Sequence, residues 1–266
     1  MDRRKRLLVC STLAILAVGS RDGTGVAAAN DRVTATMGQL PVYFVANRGQ
    51  LDAQVLYYVT ASDAAVYFTT DGVTIAQTDG DLRWSVKQQF LGANQVEPVA
   101  RQRTEAIVSY FKGPQKDWKM AIPTYAEVVY PDLWPGIDLV YGGQGSRLKY
   151  TFTVKPGADP SLIRIAFHGA TDVGASGAGE LHVLTPTGGH GEEQPYAYQA
   201  IHGRRVEVSA HFEVRPDELS GTPVVGFALG EYDRREQLTI DPVTTLYCGY
   251  VGASGPSGAG GPSAIV

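Results

Sequence analysis

The sequence predicts an all-β protein, with antiparallel strands in sandwich-like sheets. Three observations lead there. Many short stretches alternate apolar and polar residues with a period of two, the mark of strands with one buried face. Clusters of Gly, Pro, Asn and Asp separate them at short intervals, as in sandwiches. No long stretch keeps apolar residues at helical spacing. The organising element is a hairpin between Pro123 and Pro160. Its first run is Ile137 to Tyr141. In the second, Leu148, Tyr150, Phe152 and Val154 alternate with Lys149, Thr151, Thr153 and Lys155. The first set should be buried. The six residues Gly142 to Arg147 read as the link. Pro135-Gly136 and Pro156-Gly157-Ala158-Asp159-Pro160 punctuate the ends.

The amino terminus reads as a secretory signal peptide over residues 1–29. Arg3, Arg4, Lys5 and Arg6 precede the apolar run Leu7 to Val18, and Ala27-Ala28-Ala29 supplies small residues beside a cleavage site. The run is shorter than the ~20 residues a spanning helix needs. Val9 before Cys10 does not fit a lipoprotein box. The expected product is secreted or held at the cell surface, with no transmembrane segment. Residues 30–39 read as a flexible leader. The whole chain of 266 residues carries a net charge of −4, and losing the basic segment makes it more acidic. That balance excludes nucleic acid as a default partner, because phosphate binding needs a basic footprint. Cys248 would be the only cysteine left, so core burial rather than a disulfide must hold the fold.

Along the chain, Val42 to Val45 predicts a short strand and Asn47-Arg48-Gly49-Gln50 a turn. Val55 to Thr60, Ala65 to Thr70 and Val73 to Gln77 predict strands, the last two joined across Asp71-Gly72. Leu82, Trp84 and Val86 form an apolar phase, so Trp84 is expected in the core. Residues 94–103, with Pro98, read as a loop or weak edge. Ile107 to Phe111 resumes β character, and Lys116-Asp117-Trp118 reads as a turn docking its indole on the core. After the central hairpin come Ile163 to Phe167, Leu181 to Leu184 and a hairpin across His202-Gly203. Val206 to Val214 and Val225 to Leu229 alternate cleanly. Leu238-Thr239-Ile240 reads as the last strand, stopped by Asp241-Pro242. The organisation expected is residues 40–155 and 156–242 as two packed β sub-domains or one sandwich. Residues 243–266 form a Gly/Ser/Pro-rich tail.

Several phrases carry a family resemblance. They are Phe44 to Gln50, Val108 to Gly113 with Trp118, Pro123-Thr124-Tyr125, Pro135 to Tyr141 and Pro156 to Pro160. Tyr198-Gln199, Gly230 to Asp233 and Ile240-Asp241-Pro242 follow in the same order. Together, over residues 40–253, they resemble the β-rich domain of unknown function that precedes bacterial SBBP-type repeats. The resemblance implies export, a β-sandwich-like fold and no established catalytic residue. Tyr247 to Ser254 resembles the start of a first propeller repeat. Further repeats would be expected after Val266, so a truncated propeller is one expectation.

The constellations that could carry chemistry are sparse. Asp132 and Asp138 flank Trp134, a pattern that fits a carbohydrate or calcium site of carboxylates beside an aromatic platform. The competing reading is turn chemistry, with Asp capping backbone N–H groups and Trp filling core. Glu192 and Glu193 could serve a glycosidase, yet adjacent strand residues face opposite ways, and a solvated loop is the plainer expectation. His182, His190, His202 and His211 form no tight metal-ligand spacing and read as scattered surface residues. No catalytic residue, cofactor or metal is assigned. The function expected is an exported, non-catalytic module for attachment, binding or support of a partner domain, its ligand a glycan or a protein. The alternatives are a glycan-active, glycoside hydrolase-like enzyme and a truncated remnant without function.

Overall fold

The computed structural model describes residues 41–247 apart from 62, 63, 146 and 219. The signal peptide, the leader, Cys248 and residues 249–266 lie outside the described residues. The chain is nearly all β, as the alternation predicts. The strands run β1 Phe44–Ala46, β2 Tyr57–Thr60, β3 Ala64–Thr69, β4 Gly72–Asp79, β5 Leu82–Phe90 and β6 Val99–Tyr110. After a 3-10 turn at Gln115–Asp117 come β7 Lys119–Trp134, β8 Ile137–Gln144 and β9 Arg147–Val154. A second such turn, Pro160–Leu162, precedes β10 Ile165–His168, β11 Asp172–Ala175, β12 Leu181–Leu184 and β13 His190–Glu192. The last are β14 Tyr196–Ile201, β15 Arg204–Val208, β16 Ala210–Pro216, β17 Pro223–Leu229, β18 Leu238–Asp241 and β19 Val243–Tyr247. Among the described residues, no helix is long and apolar enough to cross a membrane.

Among the described residues all strand pairings are antiparallel. The long strand β7 is the hinge of the fold. One edge carries β6 along its length, while the other pairs first with β1 and then with β8. One layer therefore runs β1–β2–β3–β4–β5–β10–β17–β16. The other runs β8–β9–β18–β14–β15. A smaller sheet, β11–β12–β13, joins the second layer through β19, which also pairs with β9. Strands on the two sides of Pro156 thus pair with one another.

Alternation explains the core between the layers. In β9 the buried set is Leu148, Tyr150, Phe152 and Val154, as the sequence predicts. Aromatic edges cross the interface. Phe68 meets Tyr141 at 5.0 Å, Phe90 meets Trp134 at 5.9 Å and Phe152 meets Phe227 at 5.5 Å. These separations suit edge-to-face packing. A second apolar cluster lies on the other face of β1–β3. It holds Val45, Tyr58, Ala65, Tyr67 and Ile122, with Val108, Tyr110 and Tyr125 packed against it. This covering of both faces buries Ala64 to Phe68 continuously.

Several expectations change. The central hairpin is tighter than read, because β8 and β9 pair as far as Gln144 and Arg147. Pro242 does not stop the sheet, and β19 continues beyond it. Trp84 is 38% exposed, with its indole N–H donating to the Gly169 carbonyl oxygen. It lies toward the open end of β5, where Leu82 is exposed too, so periodicity alone misplaced it. The His202-Gly203 hairpin forms as expected. Both residues have positive φ, at 50° and 75°, which suits a tight hairpin turn.

Candidate functional site

Asp132, Trp134 and Asp138 sit at the β7–β8 corner. Trp134 pairs with Ile137 across Pro135-Gly136, and the register shifts between Tyr130 and Trp134. Asp132 adopts a positive φ of 45° in that shift. Its backbone N–H donates to Asp138 Oδ1 at 2.8 Å. Lys155 Nζ lies 2.7 Å from Asp132 Oδ1 and 3.1 Å from Asp138 Oδ1. The Lys155 ammonium holds the Asp132 carboxyl below the usual range. Trp134 goes elsewhere. Its side chain is 1% exposed, its Nε1–H donates to the Leu91 carbonyl oxygen at 3.0 Å, and its ring packs on Phe90 and Phe152. The corner unites the two aspartates with Lys155 and separates them from the indole. The space between the carboxylates holds an ammonium from the chain itself.

The most perturbed titratable groups lie inside. Glu192, on β13, is 2% exposed. Burial pushes its carboxyl up to about 7, and a hydrogen bond donated by Tyr150 opposes the shift. Its Oε1 has no protein partner. Two residues earlier on the same strand face, His190 is also buried, with neither ring nitrogen hydrogen-bonded. Burial lowers that ring to about 4. The phenols of Tyr141 and Tyr150 are raised, first by burial and then by the nearby Glu192 charge. Such shifts are found at functional sites, but these groups are sealed between β8, β9 and β13.

The outer face of β6–β9 carries an open groove of about 300 Å³. Gln102, Glu127, Val140, Gly142, Lys149 and Thr151 line it. The glycine leaves its floor low. Asp241 anchors one wall: Lys149 Nζ lies 2.7 Å from its carboxylate, and Thr151 Oγ1 donates to it at 3.0 Å. Gln102 adopts a positive φ of 56°, a conformation that costs energy outside glycine.

The phrases behind the family resemblance hold loops together. Asn47 Nδ2 donates to the carbonyls of Asp52 and Val55, both at 2.7 Å, and Asn47 Oδ1 accepts from the N–H groups of Gly49 and Leu51. Gln50 Nε2 donates to the Ala46 carbonyl. Gln199, buried in β14, donates to the carbonyls of Asp233 and Glu236 and accepts from the Asp233 N–H at 2.8 Å. Gly157 N–H donates to the Arg234 carbonyl, and Asp159 caps the following 3-10 turn through Ser161. A domain of unknown function, DUF7948, matches residues 44–243. The chain belongs to this family. No curated protein and no solved structure matches it.

Within the DUF7948 domain the four histidines named above do not gather. His182 pairs with Asp172 at 3.0 Å on the surface, His211 lies near the Ser209 hydroxyl, and His202 occupies its turn. His190 departs from the surface reading. Glu192 likewise leaves the expected solvated loop, while its neighbour Glu193 faces out and pairs with Arg147 at 2.5 Å. The segment Thr187-Gly188-Gly189-His190-Gly191-Glu192 has no apolar residue to announce a buried strand. Its burial is imposed from outside, by β12, β19 and Tyr150.

Proposed function

We propose that the DUF7948 domain is an exported, non-catalytic β module that attaches to, binds or supports a partner outside the cell. The observation that carries this is where the polar side chains of its characteristic phrases go. Asn47, Gln50, Gln199 and Asp159 hydrogen-bond the domain's own backbone, so these phrases build a scaffold. The outer groove of β6–β9 offers a surface of binding type, with an amide, a carboxylate, an ammonium and a hydroxyl. Glycoside hydrolysis by the common route uses two carboxyl groups across the bond. Glu127 lines the groove, and the carboxylate at its wall, Asp241, is engaged by Lys149 and by the Thr151 hydroxyl.

The test incubates the exported chain with insoluble cell-wall material and soluble polysaccharides. Retention without release of new reducing ends fits the module. Release that disappears in Glu127→Gln would replace it with the glycan-active reading. Export itself rests on residues 1–29, and the intact mass of the secreted fraction should correspond to a start near Asn30. The reading takes Tyr247 to Ser254 as the start of a truncated SBBP-type propeller, supported by the likeness of these residues to a first repeat. The reading frame downstream tests that part.

A further inference from the structure

The β6–β7 hairpin ends in a tip that exposes Phe111 and Met120 among lysines. Its base is fixed. Val108 and Tyr110 on one strand, with Ile122 and Tyr125 on the other, cover the second apolar cluster. The hydroxyls of Tyr58 and Tyr110 meet at 2.5 Å. Beyond that base, a register shift between Val108 and Tyr110 and a positive φ of 54° at Ala121 mark a bend. The 3-10 turn that follows buries none of its residues. Phe111 is 44% exposed and Met120 65% exposed. Phe111 sets its ring edge-to-face on Trp118 at 4.9 Å, and the indole N–H is tied to the Gly113 carbonyl at 3.2 Å. Phe111 and Trp118 thus hold each other by local contacts, with Met120 exposed two residues further on.

The charge around it is reversed from that of the chain. Lys112, Lys116 and Lys119 stand there against the single acid Asp117, while the protein as a whole is acidic. The Lys119 ammonium lies beside Gly49, which brings the exposed Arg48 of the neighbouring loop to the same rim. Two kinds of partner suit exposed aromatic and Met side chains. Protein interfaces are depleted in Lys and usually need about 1,000 Å². Two exposed apolar side chains and a half-buried indole do not supply that area. Elements that lie in the headgroup region of a bilayer combine aromatic residues with Lys and gain from anionic lipid.

We propose that this tip docks the domain on an anionic phospholipid bilayer, with Phe111, Trp118 and Met120 entering the headgroup region and the lysines meeting the lipid phosphates. This deepens the attachment reading above and rests on it. Each lysine near such a surface is worth about fivefold in affinity, and the attraction is screened by salt.

The experiment is flotation of the full chain with phosphatidylcholine vesicles, with and without phosphatidylglycerol, at low and high salt. Binding should require phosphatidylglycerol and fall at high salt. It should be lost in Phe111→Ser/Met120→Ser and fall about twentyfold or more in Lys112→Gln/Lys116→Gln. Unchanged thermal melts of both variants would show that the fold is intact. A blue shift of tryptophan emission on vesicles should vanish in Trp118→Phe. Absence of binding to either vesicle overturns the proposal, as does equal binding by the tip variants. Self-association abolished by the same variants would also overturn it and make the tip a protein interface. The same samples applied to whole cells separate the two readings: cell retention without vesicle binding removes the lipid proposal and leaves attachment standing.

Discussion

Glu192→Gln is the most informative single substitution. The buried carboxyl is raised from its ordinary 4.5 to about 7. It is therefore held neutral in the folded state, and the stability it allows is full below pH 4.5 and is lost as pH rises to about 7. At 1.36 kcal/mol per unit, that loss is about 3 kcal/mol. His190 works in the opposite sense. Its ring is lowered from 6.5 to about 4, so its contribution is present above pH 6.5 and lost as pH falls to 4, again by about 3 kcal/mol. Between pH 4.5 and 6.5 the two slopes oppose each other, and the wild type should be nearly flat as far as this pair is concerned. Glutamine keeps the size and can accept from Tyr150 but does not titrate. Relative to wild type, Glu192→Gln should therefore gain about 3 kcal/mol as pH rises from 4.5 to about 7, and its own stability should climb between pH 4 and 6.5, where His190 alone titrates. His190→Phe should show the reverse slope, with stability falling toward pH 7. Urea unfolding across this range, with m checked for constancy, measures both. A Glu192→Gln curve parallel to wild type would mean that the carboxyl ionises as in water, and the sealed pair would have to be given up.

Four further variants test the packing and the hydrogen bonds of the sheets. Phe152→Asp should abolish folding, because it removes a fully buried ring worth about 3–5 kcal/mol and leaves an unpaired carboxylate in the core. Thr151→Asp, on the outer face, should stay folded with a lower midpoint, since it loses the bond to Asp241 and sets two carboxylates together; circular dichroism melts compare the pair. Gln199→Leu should cost about 3 kcal/mol in a urea titration, as it leaves one N–H and two carbonyls of the Asp233–Glu236 loop without their partner. Gly72→Ala should cost about 1–3 kcal/mol in the same assay, because a Cβ there would stand 2.2 Å from the Gln88 carbonyl oxygen and force β4 and β5 apart.

The all-β class, the faces of β9 and the His202-Gly203 turn were legible because local alternation and turn residues point the same way there. Val206 to Val214 alternates as one strand would, yet it breaks at Ser209 into β15 and β16, which pair in different layers and leave Val206 45% exposed. Trp84 shows the limit. Its strand has the right period, yet that end of β5 runs past the core. β19 was missed because a proline was read as a stop, although Pro242 leaves room for a new strand directly after it. At the candidate site, the turn role of Asp138 was readable from its position after Pro-Gly. Lys155 was not, because a partner brought by the next strand leaves no mark near Asp132. Glu192 and His190 were least visible, since their burial depends on strands distant in the chain.

The division of the β9 edge between β18 and β19 governs how this chain can be made. Lys149 and Asp241 meet across 92 residues, so the middle strand must wait for residues 238–247. Topologies rich in such distant pairings fold slowly. Until residues 238–247 arrive, β9 presents an open row of backbone donors and acceptors beside Tyr150 and Phe152, a template for pairing with another copy. A nascent or clipped chain ending before Leu238 should be far more prone to aggregate than its length suggests. The final ten described residues thus act as the closing seam of the whole sheet, and their loss during synthesis or proteolysis would be felt at the centre of the molecule.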